Sequence, residues 1–204
     1  MKVSKRQQTF IVKTFVHLVC LYLLGNLYWL ALNDNLGADP VEAVLHFTGI
    51  GAFNLLILSL AISPLIRILK VSALINYRRL LGLYSFTYAL AHLLSFLAFE
   101  VQFDWPLFIG EIIDRPYMSF GMLAFFILLL LTVTSVTIVK RKMGRLWQKL
   151  HHWVYLAMLL AAIHFYMSVK SDITEPVIYG LITFTLLWFR RQKLLKYFPK
   201  RFVP

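Results

Sequence analysis

Only one cysteine occurs in this 204-residue sequence, and charged residues are scarce. A lone Cys20 excludes an internal disulfide and any paired-cysteine metal or redox motif, so we interpret it as a small core residue. The glycine-rich patterns GxGxxG and GxxxxGK[ST] are missing as well, which excludes the usual phosphate-cradling loops for a nicotinamide or nucleotide. Only 15% of the residues are charged, whereas 60% are hydrophobic. Water is therefore not the main solvent of this chain.

The sequence contains several long runs of apolar residues. A helix needs roughly 20 consecutive apolar residues to cross a hydrocarbon core about 30 Å thick. The sequence predicts an all-α, polytopic transmembrane bundle of six helices forming a single domain over residues 1–204. The predicted helices are 14–32, 43–66, 80–99, 116–139, 150–169 and 174–190. We expect the first run to stay as a helix, since it is long for a signal peptide and lacks a convincing small-residue cleavage site. The last run is the shortest and would need a locally thinned bilayer.

The basic residues occupy alternate loops of this bundle. Nineteen of the 21 Lys and Arg residues precede the first helix, join helices two and three, join helices four and five, or form the C-terminal tail. All nine Asp and Glu residues fall at the other three loops. Because positively charged loops stay on the cytoplasmic side, this distribution predicts that both termini are cytoplasmic. Topology and attraction to anionic membrane lipid explain the net charge of +12, so no nucleic-acid partner is expected.

Charged residues are absent from the apolar cores of the second to sixth predicted spans. In a bilayer such residues usually mark proton relays, ion paths and transporter sites. Internal repeats with interrupted helices, a second sign of transporters, are not evident either. Gly49 and Gly51 in the second span are more typical of close helix packing than of a binding loop. These absences weaken a transporter or channel function.

Histidine is the polar residue that the spans do contain. All six histidines lie in or at the edge of the predicted membrane region: His17, His46, His92, His151, His152 and His164. At about 1.5 Å of rise per residue, His92 lies roughly 18 Å above the cytoplasmic boundary and His164 roughly 21 Å above it. Two outward-running helices can therefore present these two imidazoles at one depth, an arrangement suited to bis-histidine ligation of an electron-transfer haem.

His151 and Arg78 stand nearer to the cytoplasmic surface. His151 precedes His164 by 13 residues, roughly 20 Å along the helix axis, and on an ideal helix the two rings do not share a face. His151 therefore suits a lower haem or another cofactor, whereas His152 is interpreted as an interfacial residue. Arg78 precedes His92 by 14 residues and lies nearly on the same helix face. Its guanidinium is a candidate partner for a haem propionate, although topology alone also explains a basic residue there.

Several long strings add a family resemblance that covers almost the whole chain. They are "LGADPVEAVLHFTG" at 36–49, "RRLLGLYSFTYALAHL" at 78–93, "RPYMSFG" at 115–121, "RLWQKLHHWVYL" at 145–156 and "IHFYMSVK" at 163–170. The chain resembles the ferric-reductase-like transmembrane family, and within it the haem-binding membrane subunits of bacterial periplasmic methionine sulfoxide reductase systems.

The resemblance implies metal-binding roles for three histidines and a place in an electron-transport chain. His92, His151 and His164 match the family's candidate haem ligands, and one haem b, or two, would be expected. The family has two histidines on each of two helices, whereas this sequence has Arg78 at the expected inner position. His151 would then pair with another residue such as His17, or serve a flavin or quinone site.

The expected partners also come from the resemblance. Electrons would come from the quinone pool or a cytoplasmic flavin reductase, and FMN is a further candidate cofactor. They would pass to a periplasmic molybdenum-containing catalytic subunit that reduces methionine sulfoxide in oxidised proteins. The implied location is the bacterial cell inner membrane, with multiple passes and no substrate chemistry on this chain. The competing functions are a membrane transporter and a structural membrane anchor without a redox cofactor.

Overall fold

A computed structural model describes residues 4–169 and 172–191 of the chain. Within these residues every regular element is helical, which confirms the all-α prediction. The basic residues of the predicted cytoplasmic tail beyond residue 191 lie outside the described residues. Five helical stretches are long and apolar enough to cross a membrane: Lys5–Leu32, Pro40–Leu69, Ser72–Glu100, Pro116–Val133 and Arg145–Ser168.

The first three long helices are bounded by residues that suit their ends. Helix α1 (Lys5–Leu32) begins after Ser4, whose hydroxyl accepts the amide of Gln7 while the Gln7 side chain accepts the amide of Ser4. Helix α2 (Pro40–Leu69) begins after Asp39, which caps the amide of Glu42. After a short 3-10 turn, helix α3 (Ile75–Ser95) continues into a π-helical turn, Phe96–Glu100.

A helix that the sequence analysis did not predict follows on the acidic side. Helix α4 (Trp105–Asp114) begins at Asp104, whose carboxylate accepts the Leu107 amide. The chain turns into it through Gln102 and Phe103, both of which have positive φ. The loop between the third and fourth predicted spans is therefore partly helical. Its apolar residues Trp105, Ile109 and Ile113 are exposed, which is typical of a helix at a membrane interface.

Two of the predicted spans end or break earlier than expected. Helix α5 (Pro116–Val133) stops six residues before the predicted end at 139, and Val136, just before the next helix, is extended. Helix α6 (Thr137–Met143) then carries the basic residues separately. The fifth predicted span, 150–169, is divided into helix α7 (Arg145–His151) and helix α8 (Val154–Ser168).

The last described helix, α9 (Thr174–Trp188), has 15 residues. At 1.5 Å per residue it spans about 22 Å, which is short of a hydrocarbon core about 30 Å thick. A sixth crossing and the cytoplasmic location of both termini therefore stay predictions.

The bundle core forms where α2 packs on α3 and α5 packs on α8. Met158 and Ala157 of α8 are fully buried against Leu56 of α2 and Ile127 of α5. On the other side, the buried Ser85 hydroxyl donates to a backbone carbonyl of α2 at 2.9 Å. Small residues thus bring α2 close to α3, as predicted for the second span.

Candidate functional site

His92 lies in the last two turns of α3 and faces α2. Its Nδ1 is 2.9 Å from the carbonyl oxygen of Leu45. Because a carbonyl only accepts hydrogen bonds, Nδ1 carries the proton and donates it. The ring also lies against Gly49, where a Cβ would come within 3.2 Å of both Nδ1 and Cε1. The helix pair α2–α3 therefore fixes both the orientation and the tautomer of His92.

His164 lies in the last two turns of α8 and is held in the same way by α5. Its Nδ1 is 2.7 Å from the carbonyl oxygen of Tyr117 and donates to it. The ring is packed against Gly121, where a Cβ would lie 2.7 Å from Nδ1. Two different helix pairs thus present two imidazoles with the same tautomer, each backed by a glycine.

The two imidazoles face each other across the bundle. The ring centroids of His92 and His164 are 6.2 Å apart, and the ring planes are inclined at 87°. Each Nε2 keeps its lone pair because each Nδ1 is the protonated nitrogen. Neither Nε2 has a hydrogen-bond partner among residues 4–169 and 172–191. Each ring thus keeps one neutral nitrogen with a free lone pair, while its other nitrogen is held by a carbonyl, as is usual for a histidine that binds a metal.

The spacing and the donor set fit a haem iron. Two metal–nitrogen bonds of about 2.0 Å, plus the distance from each nitrogen to its ring centre, account for a separation of this size. Within the part of the chain that the structure describes, no group of three or more His, Cys, Asp or Glu residues can hold a metal ion. A metal bound by only two side chains must bring its other ligands with it, as an iron in a porphyrin does.

His151, the third predicted ligand, has a different environment at the end of α7. Its ring stacks on Trp147 with centroids 3.9 Å apart, and its Nε2 is 3.1 Å from the Thr134 hydroxyl. That hydroxyl donates its proton to the Leu130 carbonyl at 2.6 Å, so it accepts from the Nε2–H of His151. His151 therefore holds its lone pair on Nδ1, the opposite tautomer to that of His92 and His164.

Arg78, the predicted propionate partner, belongs to the surroundings of His151. Its positive charge and that of Lys140 both act on the His151 ring. The Lys140 ammonium lies 4.6 Å from the centre of the Trp147 ring, and the Ser59 hydroxyl donates to the Arg78 carbonyl at 3.0 Å. The structure thus gathers Arg78, Lys140 and His151 at the basic end of the bundle, separately from the pair of facing histidines.

The other three histidines have partners of their own. The Nδ1 of His17 is 2.6 Å from the Tyr84 hydroxyl, so its contact is with Tyr84 rather than with His151. His46 forms an ion-pair contact of 3.5 Å with Glu175 near the acidic side. His152 bonds to the carbonyl oxygen of Gln148 within its own turn. Such contacts are typical of structural histidines.

Sequence reasoning missed the groups that orient the two facing rings. The acceptors from Leu45 and Tyr117 are backbone carbonyls, which no residue type encodes. Gly49 was interpreted only as a packing residue, and Gly121 was not singled out. A glycine on a helix beside a candidate ligand helix is the one signal that was available, and it required knowledge of which helices are neighbours.

Comparison with known proteins agrees with the resemblance found in the sequence. The family described as "ferric reductase like transmembrane component" matches residues 14–162. A protein of Pectobacterium carotovorum subsp. carotovorum (strain PC1) is 44% identical over 181 residues, which cover 86% of this chain and 91% of the relative. A protein of Klebsiella pneumoniae (strain 342) is 42% identical over 183 residues, covering 89% of this chain and 92% of the relative. Both relatives are named "Protein-methionine-sulfoxide reductase heme-binding subunit MsrQ".

Proposed function

Since this chain belongs to the ferric-reductase-like transmembrane family, we propose that it binds haem b between His92 and His164 and carries electrons across a bacterial inner membrane. The observation that carries the proposal is the facing pair of imidazoles, 6.2 Å apart, with both Nε2 atoms unprotonated. The names of the relatives, which describe haem-binding subunits, agree with it.

The residues of the site would control the cofactor in three ways. His92 and His164 would hold the haem iron through their Nε2 atoms. The carbonyls of Leu45 and Tyr117 would keep both rings oriented and increase their basicity as ligands. Gly49 and Gly121 would let the rings sit directly against α2 and α5. When bound, haem b supplies reversible one-electron transfer, so this chain needs no substrate chemistry of its own.

Electrons would enter at the basic end of the bundle and leave at the acidic end. The distribution of charge among the loops supports a cytoplasmic basic end, with both termini cytoplasmic and α9 as a sixth, short crossing. The donor would be the quinone pool or a cytoplasmic flavin reductase. The acceptor would be a periplasmic molybdenum-containing subunit that reduces methionine sulfoxide in oxidised proteins. The part of the relatives' name that refers to protein-methionine-sulfoxide reductase supports this acceptor.

His151 and Arg78 would form a separate site for electron entry. The Nε2 of His151 is occupied by Thr134 and its ring is stacked on Trp147, so this histidine is not arranged like the other two. The adjacent positive charges of Arg78 and Lys140 favour an anionic cofactor, for which the phosphate of FMN is the candidate. We therefore propose one bis-histidine haem and a distinct basic-end site, rather than a second haem of the same kind.

A haem count on the purified chain tests the proposal. We expect a Soret band, sharp α and β bands after reduction, and about one haem b per chain in a pyridine haemochrome assay. The reduced protein in vesicles should be reoxidised when the periplasmic methionine sulfoxide reductase and its substrate are added outside. A correctly inserted but colourless protein would refute the proposal and favour a transporter or a structural anchor.

A further inference from the structure

Arg190, just after α9, is a buried cation with an unused hydrogen-bond donor. Arg190 is 7% exposed, and its Nη2 has no hydrogen-bond partner among residues 4–169 and 172–191. A buried guanidinium nitrogen is normally hydrogen-bonded, because the loss of water around a charged group carries a large penalty. The described residues therefore supply no acceptor for this nitrogen.

A cavity of about 220 Å³ adjoins this side chain. It lies between the end of α2 and the end of α9 and is lined by Pro64, Arg67, Ile68, Phe189 and Arg190. Ile68 and Phe189 are 67% and 55% exposed, so the cavity is bordered by apolar side chains on the outer surface of the bundle. In a membrane that surface faces lipid.

The charge around the cavity is positive and unbalanced. Arg67 and Arg78 are close enough to Arg190 for their charges to act on it. In the described part of the chain the only ion pairs are His46–Glu175 and Arg115–Glu111, and neither involves these arginines. All acidic residues of the sequence belong to the opposite set of loops. The described residues therefore supply no acidic partner for this cluster, and a bound anion would balance its charge.

The neighbouring Arg191 shows that the burial of Arg190 is not a general property of this segment. Arg191 is exposed, and its guanidinium carbon lies 4.3 Å from the centre of the Trp188 ring. A cation over an aromatic face in this manner is already stabilised. Of the two consecutive arginines, only Arg190 is among the residues that line the cavity.

We propose that Arg190 and Arg67 bind the phosphate of an acidic phospholipid headgroup, whose acyl chains lie along Ile68 and Phe189. Guanidinium groups suit phosphate oxygens because they offer paired N–H donors in a planar fork. Basic pockets between helices on the cytoplasmic side are a known form of lipid recognition. A phosphate ester in solution, such as that of FMN, offers the same chemistry. The lipid is favoured because the cavity is bordered by apolar side chains on the lipid-facing surface.

Native mass spectrometry of the full-length purified chain tests this site. Detergent-exchanged protein is titrated with phosphatidylglycerol or with phosphatidylcholine, and the lipid-bound fractions are compared. We expect the wild type to retain phosphatidylglycerol preferentially. Arg190→Gln and Arg67→Gln should each weaken its retention at least about tenfold, since each removes charged hydrogen bonds to the phosphate. Arg191→Gln, the matched control with the same change of charge, should change retention less than about twofold.

The remaining outcomes separate the possible ligands. Equal losses in Arg190→Gln and Arg191→Gln would mean unspecific attraction to a basic surface and would overturn the proposal. Displacement of phosphatidylglycerol by equimolar FMN or inorganic phosphate would assign the site to a soluble phosphate instead of a lipid. Arg190→Lys keeps the charge but loses the planar fork, and it should show an intermediate affinity even if Arg190→Gln fails to insert. The measurement does not require haem, so the lipid site and the proposed haem site succeed or fail separately.

Discussion

Gly121 lies so close to the imidazole of His164 that a Cβ at residue 121 would be only 2.7 Å from Nδ1. Side-chain carbons do not approach that closely, so any larger residue would displace the ring or the helix. The equivalent approach of Gly49 to His92 is looser, at 3.2 Å. The two glycines therefore differ in how strictly they fix the position of the ring beside them.

This difference predicts a graded response to alanine. We expect Gly121→Ala to weaken haem binding by about 1–3 kcal/mol, the usual range for overpacking, and Gly49→Ala to have a smaller effect. The measurement is the low-spin haem absorbance per purified chain during haem titration. Gly25→Ala is the control, because nothing lies within 4 Å of a Cβ there. Equal behaviour of all three variants would contradict the positioning role.

The ligand assignment predicts the effect of removing either facing imidazole. His92→Ala and His164→Ala should each reduce low-spin haem to below about a tenth of the wild-type content, since one axial nitrogen is lost. Both variants should still insert, because alanine is more apolar than histidine and the loop charges are unchanged. His46→Ala, at the half-exposed contact with Glu175, should keep its haem. A full low-spin spectrum in both ligand variants would show that the assignment is wrong.

The separate environment of His151 predicts a different phenotype. His151→Ala should retain the low-spin haem but slow its reduction by the cytoplasmic donor. Thr134→Val removes the acceptor of the His151 Nε2–H, which is worth about 0.5–1.5 kcal/mol, and should slow the same step by about two- to tenfold. Stopped-flow reduction followed at the Soret band measures both variants. Loss of all low-spin haem in His151→Ala would instead make His151 a ligand of the main haem.

Arg78 should matter to the basic-end site beyond its contribution to topology. Arg78→Gln should lower the affinity for FMN and slow reduction, because it removes a positive charge that acts on the region of His151. Arg141→Gln changes the net charge equally but at an exposed residue of α6, so it is the matched control. Flavin fluorescence titration compares the two. If both variants have equal and negligible effects, the positive charge of Arg78 serves only to set the membrane topology.

The topology predicts the side on which reporter fusions are active. Fusions after Lys70 or Lys142 should report the cytoplasm, whereas fusions within 34–42 or at the turn before Asp104 should report the periplasm. A reporter at the C-terminal end should also be cytoplasmic if α9 crosses the bilayer. A periplasmic reporter at that end would reduce the crossings to the five long helical stretches.

Helical rise alone was enough to anticipate that His92 and His164 come together. Both helices run in one direction from basic loops, so similar residue offsets place the two rings at similar depth. The ring centroids do lie 6.2 Å apart, while the ligand role itself stays a prediction. Continuous apolar runs predicted the long spans, because bilayer thickness dictates the length of such a run.

The features that the sequence did not predict depend on local hydrogen bonding or on contacts between residues that are distant in sequence. The turn at His152–Trp153 lies near the start of the predicted fifth span, 150–169, where two polar histidines do not by themselves mark a change of helix. Helix α4 could not be predicted from the sequence, because its acidic residues are as typical of a loop as of an interfacial helix. The burial of Arg190 depends on the end of α2, which is far away in sequence. These features need tertiary contacts that a one-dimensional pattern does not contain.

The turn between α7 and α8 changes the winding of this span without ending it. His152 and Trp153 keep helical backbone angles, and the Trp153 and Tyr155 amides donate to carbonyls three residues earlier. Hydrogen bonds of that kind wind the chain more tightly than an α-helix does. The angle between His151 and His164 around the helix axis therefore differs from that of an ideal α-helix, and the two rings reach Thr134 and Tyr117 on different neighbours.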